Sequence, residues 1–583
     1  MNRLLCPVIA LAAAFTAASV LASFSSGRQQ SSFAVLVDEY LDRFALRHPS
    51  IAAGNGIHDH DDRLEDFSAS AIAAEVGWLR SFASRLDASR TDDLSADERV
   101  DRRILRGIID GWILDLDSVR TWTRNPMVYA AAISDGVHNL MTMESSPLER
   151  RMDQAAAKLR TVPRLLASAR ETLRNPPREF VERAIAMFHG ISDLLGTDLP
   201  RVSGASTDRA RRQALEKAAA DARRAVGAYA AELESSVLPR APREFAIGTA
   251  AVEARYRAEE LIDLTAAALL AIGERELAKT EAAFAEVAAK IDAARTPIDI
   301  WKDVLRDHPA RGELVPAAQR TVDELMAFLA AKRLVDLPKG ERVIVAAAPE
   351  YDLGLASMHS SPPLEPRPVK SFYYVTDARA DWPPDRQDAW LQKFNYPTLA
   401  DITAHEVAPG HYIHSLYMRR TPGKIRRIWI GLNPFPQPSS GQDGWAHYAE
   451  QLVADEGFKR EDPRYRLAQL SEALTRICRL IAGLRLHSGE WMVEDAARLF
   501  EQRAHLPLPA AHQEAVRGTY DPTYGGYFLG RLAALKLRGD YAASRGPAFD
   551  LKLFHERVMT NGIAPWWAHR ELLMPGDTRT VVE

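Results

Sequence analysis

His405-Glu406-Val407-Ala408-Pro409-Gly410-His411 is the stretch on which the reading of this 583-residue chain turns. Two neutral imidazoles with a carboxylate beside the first are how many proteins build a hydrolytic zinc site: the histidines hold the ion, and the carboxylate takes the proton from the water it activates. The usual spacing, His-Glu-x-x-His, sets both imidazoles on one helical face. Here the second His comes two residues late. At about 100° per residue, the pair would sit roughly 120° apart on an undistorted helix. Pro409 supplies the remedy. It cannot donate to the carbonyl four residues back, that of His405, and its ring clashes there, so the helix must kink or bulge. Gly410 then permits the dihedrals that swing His411 back. The spacing predicts a helix, a break and a resumed helix around Zn²⁺, with His405 and His411 as ligands and Glu406 as general base.

Upstream, Pro397-Thr398-Leu399-Ala400-Asp401 offers Thr398 as N-cap with Asp401 three residues on, placing His405 and Glu406 in the second turn. Downstream, Ile413, Leu416 and Tyr417 recur at helical spacing over Tyr412 to Met418. His414 reads as a supporting or packing histidine, because two ligands are already placed. Asp443 to Val453 reads as a further helix on which Asp443, His447 and Glu450 share a face. A carboxylate from such a helix would complete a His-His-Glu set and leave one position open for water. Glu450 is the expected ligand. Asp443 would orient a ligand imidazole or cap the helix, and His447 would support from behind. The same residues also fit a polar face turned to solvent.

Several pieces of the chain together resemble the DUF885 family of bacterial proteins, a group with zinc-peptidase-like features. They are Gly56-Ile57-His58 followed by Leu64, Asp66 and Ser68; His-Glu-x-x-Pro-Gly-His at 405–411; Gly-Trp-Ala-x-Tyr-Ala-Glu at 444–450; Asp521 to Gly530; and Phe554-His555 with Gly562. The resemblance spans nearly all of the chain after its first segment. It implies a mostly α, multi-helix fold similar to the clamshell zinc carboxypeptidases and oligopeptidases, with a deep central groove at the zinc site; a small β-sheet beside it is read from the strand patterns given below. It also favours the ligand reading of Glu450. Many relatives carry Glu where Asp443 stands and Leu where His447 stands, so the carboxylate survives here in shortened form.

Composition bounds the function. The chain is 46% hydrophobic and 26% charged with a net charge of −4, so it has no basic surplus with which to neutralise nucleic-acid phosphates. Asn2-Arg3 followed by the apolar, Ala-rich Leu4 to Leu21 reads as a signal peptide over 1–26, predicting a periplasmic or secreted protein without stable membrane insertion. Cys6 stands at the front of the apolar run and makes no lipoprotein cleavage box. Once the signal is removed Cys478 is the one cysteine left, and no internal disulfide can form.

Helical periodicity dominates the remainder. Leu215, Ala218, Ala222, Val226, Tyr229 and Leu233 make a buried stripe, and Ala251 to Ile291 reads as another long helical stretch. Pro239 to Phe245 is the expected boundary between an N-terminal lobe, 27–241, and a C-terminal lobe, 242–583, that carries the zinc site. Two strands are predicted, Arg342 to Val345 and Ser371 to Val375, with a Pro-rich loop between them. An edge strand beside the metal could pair with an extended peptide. His58-Asp59-His60-Asp61-Asp62 lacks calcium-loop spacing and reads as a capped, solvated turn.

These readings converge on an exported zinc peptidase acting on a peptide substrate. Tyr527 is the expected oxyanion donor, with Tyr524 next, because Gly525 and Gly526 leave the approach open. Tyr524, His487 and Tyr374 are expected to line the substrate groove, with Arg485 and Arg531 as receivers of a substrate carboxylate. Two alternatives stand beside this: a zinc hydrolase acting on a non-peptide amide or ester, and an inactive metal-holding binding protein. Cleavage direction and oligomeric state are not encoded in any motif.

Overall fold

The computed structural model describes residues 32–337, 340–348, 354–428 and 439–582. The expected signal segment, with Cys6, lies outside the described residues. Helices dominate the described residues, and among these the one sheet has three short strands, β1 (Val343–Ala347), β2 (Ala356–His359) and β3 (Ser371–Val375). β3 is central, parallel to β1 and antiparallel to β2. No helix among the described residues is long and apolar enough to cross a membrane.

The helical stripes behave as periodicity dictates. Leu215, Ala218, Ala222, Val226, Tyr229 and Leu233 are all buried, on one face of the helix Arg209–Glu232 and its continuation. The stretch from Ala251 is not one helix. Leu261 adopts a left-handed conformation (φ 51°) that ends Thr249–Glu260, and Thr265 caps a new start by accepting from the Ala268 amide, giving Ala266–Ile291. That second helix lies along Pro463–His487, a 25-residue helix buried on nearly every side.

Two hydrophobic clusters follow from this packing. One joins Phe33 to Val304 with the inner face of Pro463–His487 and the helices beyond it. The other surrounds the sheet and the motif helices, from Leu314 to Leu573. The 58–62 turn differs from expectation. His58 hydrogen-bonds through Nδ1 to Asp61 at 2.9 Å and through Nε2 to Glu365 at 3.0 Å, and both carboxylates are buried. The Leu364 amide also donates to the Asn55 carbonyl, 3.2 Å away. The ligand-rich run is therefore a clasp between the N-terminal helices and the loop entering β3.

Candidate functional site

The His-Glu helix runs Tyr396–Glu406, with Pro397 in its first turn. Its cap is Asn395, whose side-chain oxygen accepts from the Thr398 amide at 3.0 Å; Thr398 and Asp401 are inside the helix and make no capping box. Proline tolerates the first turn because its missing N–H would be unpaired there anyway, and this moves the start upstream. His405 and Glu406 consequently close the helix in its last turn. A new helix begins at His411 and runs to Met418. In the break the Gly410 amide donates to the Ala404 carbonyl at 3.0 Å. A Cβ at 410 would overlap the His405 carbonyl oxygen, so the position requires glycine. The Pro409 carbonyl accepts from the buried Trp445 indole at 3.0 Å, which pins the break to the helix Ser439–Asp455.

This break swings the imidazoles together, with ring centroids 4.8 Å apart and planes nearly perpendicular. Asp443 joins them: its Oδ1 lies 3.8 Å from His405 Nε2 and 3.6 Å from His411 Nε2. One ligand atom from each of the three residues falls within 4.8 Å of the others. Donors about 2.0–2.2 Å from a tetrahedral zinc lie roughly 3.4 Å apart, so the spacing suits a small divalent ion with slight closure. Charge suits it too. Burial works against the Asp443 anion, yet the two imidazoles facing it hold its carboxyl below the usual range. Burial also works against a charged His405, but Asp443 and Glu450 outweigh it and draw its pKa up to about 10. The niche is electronegative, with neutral-capable imidazoles turned inward.

The structure exchanges the places expected for the two carboxylates. Glu450, fully buried, accepts from His405 Nδ1 at 2.7 Å and from Arg476 Nη2 at 2.9 Å, behind the imidazole and away from Asp443. Arg476 is itself held by Glu472 at 2.6 Å. Glu450 thus sets the His405 tautomer and leaves Nε2 free, the arrangement usual behind metal-binding histidines. Asp443 precedes Glu450 by two helical turns, so both share a face, but the shorter side chain stands where the imidazoles converge. Arg476 carried no sequence signal.

The remaining predicted residues divide. Glu406 is half-buried, and no hydrogen bond to its carboxylate occurs among the described residues; its charge acts on His405 and on Tyr373. Tyr373 ties β3 to the His-Glu helix by donating to Thr403 Oγ1 at 3.2 Å. Tyr527 comes near the cluster through a backbone contact: Gly444 and Gly530 pack closely where two helices cross, bringing the start of Gly526–Arg545 against the turn that carries Asp443. Asp443 contributes to the field on the Tyr527 phenol. His447 is buried with Nε2 4.0 Å from Glu450 Oε2, and desolvation keeps it neutral.

Five expectations, at Tyr524, His487, Tyr374, Arg485 and Arg531, are corrected, whereas His414 has the packing place read from the sequence. Tyr524 is 1% exposed, packed on Gly483 and Gly518, and does not line a groove. His487 is buried with Nε2 bonded to the Gly518 carbonyl at 2.8 Å, also a core residue. Tyr374 alternates with Tyr373 and so lies on the sheet face turned from the His-Glu helix, stacked on Phe372 at 5.3 Å. His414 packs on Trp445 and meets the Gly562 carbonyl at 3.3 Å, with burial pushing its pKa down to about 3. Arg485 pairs with Glu490 at the surface and Arg531 is buried against Gln451, so neither offers itself to a substrate.

With this geometry in view, the comparisons with known proteins place the chain. It belongs to the DUF885 family, described as bacterial protein of unknown function, whose model matches residues 49–568. Two solved structures share the fold with a TM-score of 0.76 each. One, described as "a putative lipoprotein of unknown function from Shewanella oneidensis", is 21% identical and covers 93% of this chain and 100% of its own. The other, described as "the putative lipoprotein from Colwellia psychrerythraea", is 18% identical over 93% of this chain and 99% of its own. No curated protein matches the sequence.

Proposed function

We propose that the chain is an exported, zinc-dependent peptidase whose ion is held by His405, His411 and Asp443. The observation that carries this reading is the convergence of three donors beside a carboxylate, Glu406, that no hydrogen bond among the described residues ties down. A structural zinc site needs no base and fills its fourth position with protein, whereas three ligands beside a base leave room for substrate. A zinc ion there would supply the Lewis acidity that makes a water nucleophilic near neutral pH and polarises a carbonyl. Glu406 accepts the proton of the attacking water and returns it to the leaving amine nitrogen. Glu450 and Arg476 hold the His405 ring in register. Tyr527 offers its phenol to the oxyanion of the tetrahedral intermediate.

Zinc content and peptide cleavage, measured on the same samples by metal analysis and mass-spectrometric profiling of a peptide library, test the reading. Glu406→Gln keeps shape and hydrogen-bonding capacity but removes the base, so it should retain zinc and fold while losing about 10²–10⁴ in rate. Equal cleavage by wild type and Glu406→Gln would refute the mechanism. A zinc-loaded wild type that cleaves no peptide would favour hydrolysis of another amide or ester, or a binding role. Export rests on the N-terminal segment, and a mature protein starting near residues 23–27 in a periplasmic or extracellular fraction is the expected outcome.

A further inference from the structure

The surroundings of the Tyr527 phenol are built from charge. Its phenolic oxygen accepts from Arg517 Nη2 at 2.9 Å. Arg517 is in turn fixed by Asp521 Oδ2, 3.2 Å from Nε and 3.0 Å from Nη2. A second guanidinium, Arg479, lies 5.3 Å from the ring centroid, with Arg517 at 5.4 Å. Arg479 is locked to Glu514 by two parallel hydrogen bonds of 2.8 Å. Each arginine is therefore anchored by its own carboxylate, and both guanidiniums lie close to the ring. Such forks are among the stronger and more directional contacts a side chain can make.

A phenol has one hydrogen. With Arg517 donating to the oxygen, that hydrogen is the group left to donate, and no acceptor for it occurs among the described residues. An adjacent cation also makes the O–H a stronger donor, because it stabilises negative charge arriving at the oxygen. Burial pushes the Tyr527 pKa up, with Arg517 opposing, so the phenol keeps its proton at neutral pH. Nothing in the motif at 405–411 predicts this arrangement. Arg517 and Asp521 are an i, i+4 pair at the end of one helix, and Tyr527 opens the next.

We propose that Arg517, held by Asp521, is a positioning residue for Tyr527: it occupies the acceptor side of the phenol and so commits the O–H to the site around Asp443. The proposal rests on the peptidase reading above and deepens it. Arg517 itself touches neither the metal donors nor Glu406.

The test compares Arg517→Met, Arg517→Lys, Tyr527→Phe and the Arg517→Met/Tyr527→Phe double variant with the full-length wild type. Steady-state kinetics and zinc content are read on each, with folding checked by circular dichroism. Tyr527→Phe should lower kcat by about 10²–10³, the loss typical of one oxyanion donor. Arg517→Met should lower kcat at least tenfold with KM within a few-fold and zinc retained. The double variant should be no slower than Tyr527→Phe, and Arg517→Lys should recover part of the loss. In parallel, the Tyr527 resonance of ring-labelled ¹³C-tyrosine protein, assigned through Tyr527→Phe, should titrate at higher pH in Arg517→Met, since the cation that stabilises the phenolate is gone. A purely structural role would not produce that shift. Multiplicative losses in the double variant, or an unmoved Tyr527 titration in an enzyme that cleaves peptides, would overturn the positioning role alone. A wild type with zinc and no peptide cleavage would overturn the peptidase reading and this role with it.

Discussion

At the scale of single residues, the site depends on which carboxylate meets the imidazoles. Asp443 and Glu450 stand two turns apart on one helix, so spacing alone leaves both eligible. Side-chain reach and Arg476 separate them: Glu450 is committed to His405 Nδ1 and the guanidinium, and Asp443 Oδ1 is the oxygen near both Nε2 atoms. Asp443→Ala should therefore abolish stoichiometric zinc binding. Glu450→Gln should keep zinc with affinity weakened about 10–100-fold, the usual cost of losing the partner behind a ligand imidazole. Competition with a chelator, followed by metal analysis, reads both. If Glu450→Gln strips the metal while Asp443→Ala retains it, the two assignments must be reversed.

At the scale of elements, the decisive feature is the four-residue break between Glu406 and His411. It turns two positions that an unbroken helix would hold apart into neighbours, and it rests on the close approach of Gly410 to the His405 carbonyl. Gly410→Ala places a methyl group where that oxygen lies. The backbone must shift, and overpacking of this kind costs about 1–3 kcal/mol. Because the shift occurs between the two histidines proposed to hold zinc, zinc affinity should fall more than overall stability. Thermal melts with and without added zinc would show the metal-induced rise in Tm largely lost in the variant; an undiminished rise would show that the break tolerates a side chain. The sequence placed this break correctly because proline and glycine act locally. It misplaced the helix start, because Asn395 can cap only once Pro397 is accommodated in the first turn.

At the scale of the molecule, His58 links regions 307 residues apart. Glu365 sits in the loop that leads to β3, and Tyr373 of β3 is tied to the His-Glu helix, so the clasp bears on how the N-terminal helices sit against the site. Burial alone would lower the His58 pKa, but Asp61 and Glu365 outweigh it and raise it to about 9. A histidine whose folded pKa is raised stabilises fully below its unfolded value, about 6.5, and loses that contribution as pH rises through about 9. With its side chain a quarter exposed, screening holds the contribution to about 2 kcal/mol. Wild type should melt above His58→Gln at pH 6, and the two curves should converge above about pH 9. A gap that is constant with pH would mean that the clasp works through packing and not charge.

Much of this protein was legible in the chain itself. Helical class, the buried stripe from Leu215 to Leu233, the positions of β1 and β3, and the break at Pro409-Gly410 all follow from periodicity and from residues whose conformational limits act over a few neighbours. What the tertiary structure decided involves partners far apart in sequence. Tyr524 and His487 look like groove residues in a string of letters, but the packing of Pro463–His487 against Leu508–Tyr520 closes over them. Tyr373 and Tyr374 are equivalent as β-formers; only the face on which the His-Glu helix lies tells which one supports it. Asp443 and Tyr527 come near one another because Gly444 and Gly530 let their two helices touch backbone to backbone. Periodicity reports which face of an element is apolar, but not which element will cover it or how closely. That depends on the summed packing of the whole chain.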